Sequence, residues 1–151
     1  MKRKIFLITE RRADYSRFKP ILEKIEQDPD LDYDLVVTGL HLLDKYGHTI
    51  DEIKKDGFKI FSTFPMFKEF EDAEDTGAEM TRSLGRALIG VTHELEKSKP
   101  DLILSGFDIA ANFAVTIAGA HMNIPVAHMQ GGEVTGTIDE SIRHAMSKFA
   151  H

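Results

Sequence analysis

The side chains best suited to chemistry gather in one stretch of 17 residues, His128 to His144. It holds three carboxylates (Glu133, Asp139, Glu140), two imidazoles (His128, His144), one guanidinium (Arg143) and the glycines 131, 132 and 136. An apolar run, Ile124 to Ala127, precedes it, and a helical pattern opens at Ile138 or Asp139. The order is therefore strand, glycine-permissive loop, helix start. Backbone N–H groups at a helix start favour an anion, and separated carboxylates and imidazoles suit proton transfer. A glycine-rich turn capped by Asp139, with no chemical role, is the competing reading of the same residues.

These groups need a scaffold. Ile5 to Ile8 form a contiguous apolar run, as in a strand covered on both faces. The spacing predicts strands over Lys4–Thr9, Tyr33–Thr38, Phe58–Phe61, Leu102–Leu104 and Val126–His128. Helices are predicted between them. The first carries Phe18, Ile21, Leu22 and Ile25, with Asp14 or Ser16 as cap and Pro20 in its first turn. The second covers Asp44–Lys55, and the third runs from Gly77 to Lys97 with Met80, Leu84, Leu88, Val91 and Leu95 as its buried stripe. The fourth is rich in small residues (Ile109–His121), and the last runs from Asp139 to Ala150. Pro65–Thr76, with five acids and no periodic face, reads as a mobile loop, either a solvated surface or a flap over a ligand. Strict alternation of strand and helix implies an α/β fold with a doubly wound, mostly parallel sheet.

In such a sheet the carboxyl ends of the strands share one rim. That rim would hold Arg12, Ser16, Arg17, His41, Asp108, Glu133, Asp139 and Arg143. Arginines and hydroxyls suit a diphosphate, so the set suggests acid/base chemistry on a phosphorylated or nucleotide-linked substrate. Each residue also has a plainer role. Arg12 can pair with Asp14 on the surface, Asp108 can cap the fourth helix, and Arg143 can pair with Asp139 one turn before it. His41 and His128 can be ordinary hydrogen-bonded histidines.

The totals narrow the class. The 151 residues suit one domain, and a net charge of −6 argues against a general nucleic-acid binder. No apolar stretch approaches a membrane span, and the basic start has too short an apolar run for a signal peptide. The chain has no cysteine, so thiolate metal sites and disulfides are out, which fits a cytoplasmic protein. There is no G-x-G-x-x-G after the first strand, no P-loop and no G-x-S-x-G elbow. The histidines lack zinc-site spacing.

Three segments carry a resemblance: Arg12-Ala13-Asp14-Tyr15-Ser16, Gly39-Leu40-His41-Leu42-Leu43-Asp44-Lys45-Tyr46-Gly47, and Gly131 through His144. Together they resemble the UDP-N-acetylglucosamine 2-epimerases, most of all the hydrolysing branch that feeds sialic-acid and legionaminic-acid synthesis. The resemblance implies one Rossmann-like half, residues 1–151, of a two-domain glycosyltransferase-B type fold with its active site in the cleft. The helix that reaches His151 without a stop signal agrees with a chain cut in mid-protein. The implied reaction eliminates the nucleotide to a 2-acetamidoglycal and then adds water. It needs no metal and no nicotinamide, and the implied partner is a nucleotide sugar, with a homo-oligomer expected for the full-length protein. By position, Arg12 and Ser16 match diphosphate or nucleotide contacts, and Arg17 a basic site. Asp108 and Asp139 match acid/base carboxylates, and Arg143 a support for the substrate. His128 and His151 match places where relatives carry histidines.

The chain departs from its relatives at two points. Gly106-Phe107-Asp108-Ile109 stands where they usually have His-Gly-Asp followed by Arg or Thr, and Gln130 stands where many have Glu. An amide is no base, which turns attention to Glu133, three residues on. A different sugar or nucleotide is one explanation of these changes. A non-catalytic binding domain, or a sugar-transferring relative, are the alternatives.

Overall fold

In the computed structural model, which describes residues 2–67 and 76–151, strand and helix alternate as the apolar runs predict. The elements are β1 (Arg3–Thr9), α1 (Arg12–Gln27), β2 (Leu31–Thr38), α2 (Ile50–Lys55) and β3 (Ile60–Phe64), followed by α3 (Gly77–Ser98), β4 (Leu102–Gly106), α4 (Ala110–His121), β5 (Val126–Met129) and α5 (Ile138–Phe149). The strands form one sheet in the order β3-β2-β1-β4-β5, with every neighbouring pair parallel.

Alternate residues of each strand feed two cores. Phe6 and Ile8 join Val36, Ile103 and Val126 beneath Val91 and Leu95 of α3 and Ala114 and Ala118 of α4. Leu7 joins Leu35 and Val37 beneath Phe18 and Leu22 of α1 and Ile53 of α2. A strand buried on both sides needs this unbroken apolar run. The chain winds outward from β1 to β3, then returns to set β4 on the other side of β1. The connections beyond β1 and β4 leave in opposite directions, and the crevice between them is where open sheets of this kind bind ligands.

Several predicted details shift. Helix α1 starts at Arg12, because Asp14 reaches back to the N-cap residue. Its Oδ2 accepts from the Arg11 N–H (3.1 Å) and its Oδ1 from Arg11 Nε (3.0 Å). Pro20 consequently lies in the helix interior, not in its first turn. The helix predicted over Asp44–Lys55 is split into a 3-10 turn at Asp44–Tyr46, a left-handed Gly47 (φ +84°) and the short α2, and another 3-10 turn, Gly39–Leu42, precedes it. Strand β3 starts two residues late, since Phe58 plugs the core edge-on to Tyr15.

The α3 stripe is also rotated. Met80 is 48% exposed, while Ser83 and Ala87 are fully buried beside Val91. A helix that packs against an alanine-rich neighbour turns its small side chains inward. Of the predicted mobile loop, residues 68–75 lie outside the described residues. Its first part is anchored: Met66 is fully buried and its carbonyl accepts from Arg86 Nε (2.6 Å). Among the described residues no helix is long and apolar enough to cross a membrane.

Candidate active site

Three connections build the rim: Glu10–Arg11 after β1, Phe107–Ile109 after β4 and Gln130–Thr137 after β5. The last two open on a residue forced into the left-handed region, Phe107 (φ +71°) and Gln130 (φ +62°). Side chains other than glycine's adopt that conformation at a cost, and it clusters at functional sites. Phe107 turns its ring inward, 5.1 Å from that of Phe18, and the chain leaves the strand sharply at Asp108.

Asp108 ends beside Arg143. The guanidinium, on a residue only 3% exposed, binds Asp108 Oδ2, and its Nη1 donates to the Glu133 carbonyl (2.6 Å). One side chain of α5 thus ties the loop after β4 to the loop after β5. Two plainer roles fall away. Asp108 does not cap α4, whose N-cap position is Ile109 with no side-chain bond. Arg143 pairs with Asp108, not with Asp139. Asp139 is half-buried at the start of α5, where its Oδ2 accepts from the Thr137 hydroxyl (3.1 Å). Its neighbour Glu140 accepts from the N–H groups of Gly136 (2.9 Å) and Thr135 (3.0 Å), which hold its carboxyl below the usual range. Glu133 itself is exposed.

His128, on β5, packs against α5. Its Nδ1 lies 3.0 Å from Ser147 Oγ, and burial, then the Arg143 charge, push its pKa down. His41, which the sequence set among the rim contacts, is inside the protein. It is fully buried between two hydroxyls, with Nε2 2.9 Å from Thr9 Oγ1 and Nδ1 2.7 Å from Thr49 Oγ1. Burial pushes it down to about 4, so it is a neutral strut. His151 is off the rim as well, bonded through its backbone to Val126 at the amino end of β5.

Arg12, Ser16 and Arg17 all lie on the exposed early part of α1. Arg12 pairs with Glu52 (3.1 Å), not with Asp14. The Ser16 hydroxyl donates to the Ala13 carbonyl (2.8 Å), and the Arg17 guanidinium stands 5.2 Å from the centre of the Phe107 ring. Gln130 is exposed.

Sequence reasoning missed Glu10. It is 5% exposed at the crevice between β1 and β4, and its Oε2 accepts from the Ala111 N–H in the first turn of α4 (2.9 Å). Burial pushes its carboxyl up to about 7, against the pull of the Ala111 bond. Gly39 packs on it so closely that an added Cβ would lie 2.3 Å from Glu10 Cγ. The one available signal was position: Glu10 is the first residue past β1 at the point where the winding reverses.

The sequence profile of the UDP-N-acetylglucosamine 2-epimerase family matches residues 23–151. The chain belongs to that family. This epimerase-family chain is 40% identical over its whole length to the UDP-N,N'-diacetylbacillosamine 2-epimerase (hydrolyzing) of Legionella pneumophila, covering 39% of that protein. It is 34% identical to the UDP-N-acetylglucosamine 2-epimerase of Neisseria meningitidis over all of its own length and 38% of that protein's. It thus spans about two fifths of the length of the relatives it matches. A Neisseria meningitidis UDP-GlcNAc 2-epimerase structure bound to UDP-GlcNAc superimposes with a TM-score of 0.79, at 18% identity, over 97% of the chain and 38% of that structure. A Listeria monocytogenes structure described as a putative UDP-N-acetylglucosamine 2-epimerase gives 0.81, at 17% identity, over 99% of the chain and 38% of that structure. These likenesses establish the fold.

Proposed function

We propose that the chain forms one wall of the active site of a hydrolysing nucleotide-sugar 2-epimerase, as its amino-terminal domain. The substrate would be UDP-N-acetylglucosamine or a related amino-sugar nucleotide. The observation that carries this is the Arg143 bridge, which presents Asp108 and the Glu133–Asp139 loop together at the rim. In the proposed reaction a base takes the C2 proton, the C1–O bond to the nucleotide breaks, and the electrons of the C2–H bond become the C1=C2 bond of a 2-acetamidoglycal. Water then adds, with hydroxyl at C1 and a proton at C2 from the opposite face. Asp108, Asp139 and Glu133 are the acid/base carboxylates. Arg12, Ser16 and Arg17 face the diphosphate, while Arg143, Gln130 and His128 line the sugar side. His41 supports the wall from behind.

The test is nucleotide release from UDP- and GDP-linked amino sugars by a protein that carries this chain and the remaining length of its relatives. Folded protein that releases nucleotide from none of them rejects the reading. Asp108→Asn and Asp139→Asn are each expected to slow release by about 10²-fold or more. The chain alone is expected to be inactive and to bind nucleotide poorly; measurable turnover by it would refute that expectation. The amide at Gln130 favours a second reading, a nucleotide-sugar-binding domain without chemistry. Turnover unchanged in both Asp→Asn variants would select it.

A further inference from the structure

His128 leaves the carboxyl end of β5 and bridges to α5. Its Nδ1 lies 3.0 Å from Ser147 Oγ, and Ser147 Oγ lies 3.2 Å from the carbonyl oxygen of Arg143, one turn earlier. Its Nε2 is buried with no hydrogen-bond partner among the described residues. Counting protons decides the arrangement. Ser147 has one hydroxyl proton. When that proton goes to the Arg143 carbonyl, the serine oxygen is left to accept, so Nδ1 carries the ring proton and Nε2 is a bare lone pair. The opposite arrangement puts an N–H at Nε2, a buried donor without an acceptor in the field of the Arg143 cation. The positive charge favours the lone pair.

We propose that Ser147 is a positioning residue: it holds His128 in the Nδ1–H tautomer so that Nε2, covered in the chain alone, offers a lone pair to a donor on the substrate that displaces its cover on binding. A hydroxyl or amide N–H of a nucleotide-linked amino sugar is the matching donor, and that identity rests on the function proposed above. The tautomer does not rest on it. The device is compact, because the carbonyl of Arg143 anchors Ser147 while its guanidinium holds Asp108. One turn of α5 therefore sets both an acceptor and a carboxylate. Gly131 keeps the space open, since a Cβ there would lie 2.8 Å from Ser147 Oγ.

Two measurements decide it. The first uses the chain labelled with ¹⁵N and long-range ¹H–¹⁵N correlation of the His128 ring at pH 8, assigned with His128→Gln. The Nδ1–H pattern is expected in the wild type and in Ser147→Thr. Ser147→Ala should move the ring toward the Nε2–H form that free imidazoles prefer. Ser147 is exposed, so the alanine variant is expected to keep the amide spectrum of the folded chain. An Nε2–H ring in the wild type, or an unchanged ring in Ser147→Ala, overturns the proposal. The second uses the protein extended to the length of its relatives. Ser147→Ala should lower kcat/KM about tenfold, the worth of about one hydrogen bond, and Ser147→Thr should restore it. Full activity in Ser147→Ala overturns the substrate-facing role. A wild type that turns over no nucleotide sugar rejects the function proposed above, while the tautomer still stands or falls on the spectrum.

Discussion

Replacing Arg143 by methionine tests the bridge that organises the rim. Methionine keeps an unbranched stem where the arginine side chain is 4% exposed, and it deletes the guanidinium. Asp108 then loses its ion-pair partner and the Glu133 carbonyl loses a 2.6 Å donor. Breaking a fully buried ion pair from one side costs about 3–5 kcal/mol. The Asp108 side chain is 20% exposed, so water recovers part of that. With the lost carbonyl bond, at about 1 kcal/mol, the expected destabilisation is about 3 kcal/mol. In a domain of this size each kcal/mol moves Tm by about 2–4 °C, which puts the melting point roughly 6–12 °C lower. Urea denaturation of the wild type, Arg143→Met, Asp108→Asn and the double variant forms the cycle. A coupling energy of at least about 1 kcal/mol is expected between the two sites. An Arg143→Met variant within about 0.5 kcal/mol of the wild type, or additive single variants, would refute the bridge.

Three further outcomes follow from the buried groups behind the rim. Glu10 is pushed up from 4.5 to about 7, so the folded state holds its proton longer than the unfolded state, and its contribution to stability falls as pH rises from about 4.5 to about 7. Glu10→Gln should therefore gain about 1–3 kcal/mol over the wild type at pH 8 and nothing at pH 4, as read by denaturant midpoints at each pH. His41 has the opposite sign. Pushed down from 6.5 to about 4, it contributes stability present above pH 6.5 and lost as pH falls toward 4. Its ring resonances should stay those of a neutral imidazole down to about pH 5 by NMR titration, and Glu10→Gln should steepen the acid loss that the two groups otherwise share in opposition. Finally, Gly39→Ala meets the Glu10 backbone oxygen at 2.9 Å with φ at +63°, whereas Gly106→Ala meets only the mobile end of Met129, also at 2.9 Å. Thermal melting should show a loss of about 2 kcal/mol or more for the first and distinctly less for the second.

The alternation of elements was legible because the central strands β1 and β2 are buried on both faces, and an unbroken run such as Phe6-Leu7-Ile8 has few other uses. Phase was harder to read. The α3 stripe drawn through Met80 misses Ser83 and Ala87, since a neighbour made of alanines, not hydropathy, selects the face that turns inward. Residues at the rim could be nominated by their place after a strand, and Asp108, Glu133 and Arg143 do come together. Partners were not readable from spacing. Arg143 has a carboxylate one turn away in sequence yet binds one 35 residues distant. His41 shows the opposite failure. It follows a strand as an active-site histidine would, but the hydroxyls of Thr9 and Thr49 close over it, and no short-range pattern marks them.

The carboxylates at the helix starts bear on how this rim meets charge. Helix α1 begins with Asp14 bonded to the Arg11 N–H, α4 with Glu10 bonded to Ala111, and the turn leading into α5 with Glu140 bonded to Thr135 and Gly136. A helix start left bare is a ready seat for phosphate. Here the chain seats one of its own acids on an N–H inside α4 and one beside each of the other two starts, so an incoming anion would meet those backbone dipoles next to fixed carboxylates. Under the function proposed above, attraction of a diphosphate would fall to the exposed arms of Arg12, which would have to leave Glu52, and Arg17. Such arms reach, swing and are screened by salt, so the wall would greet its ligand loosely and at a distance before any close fit is made.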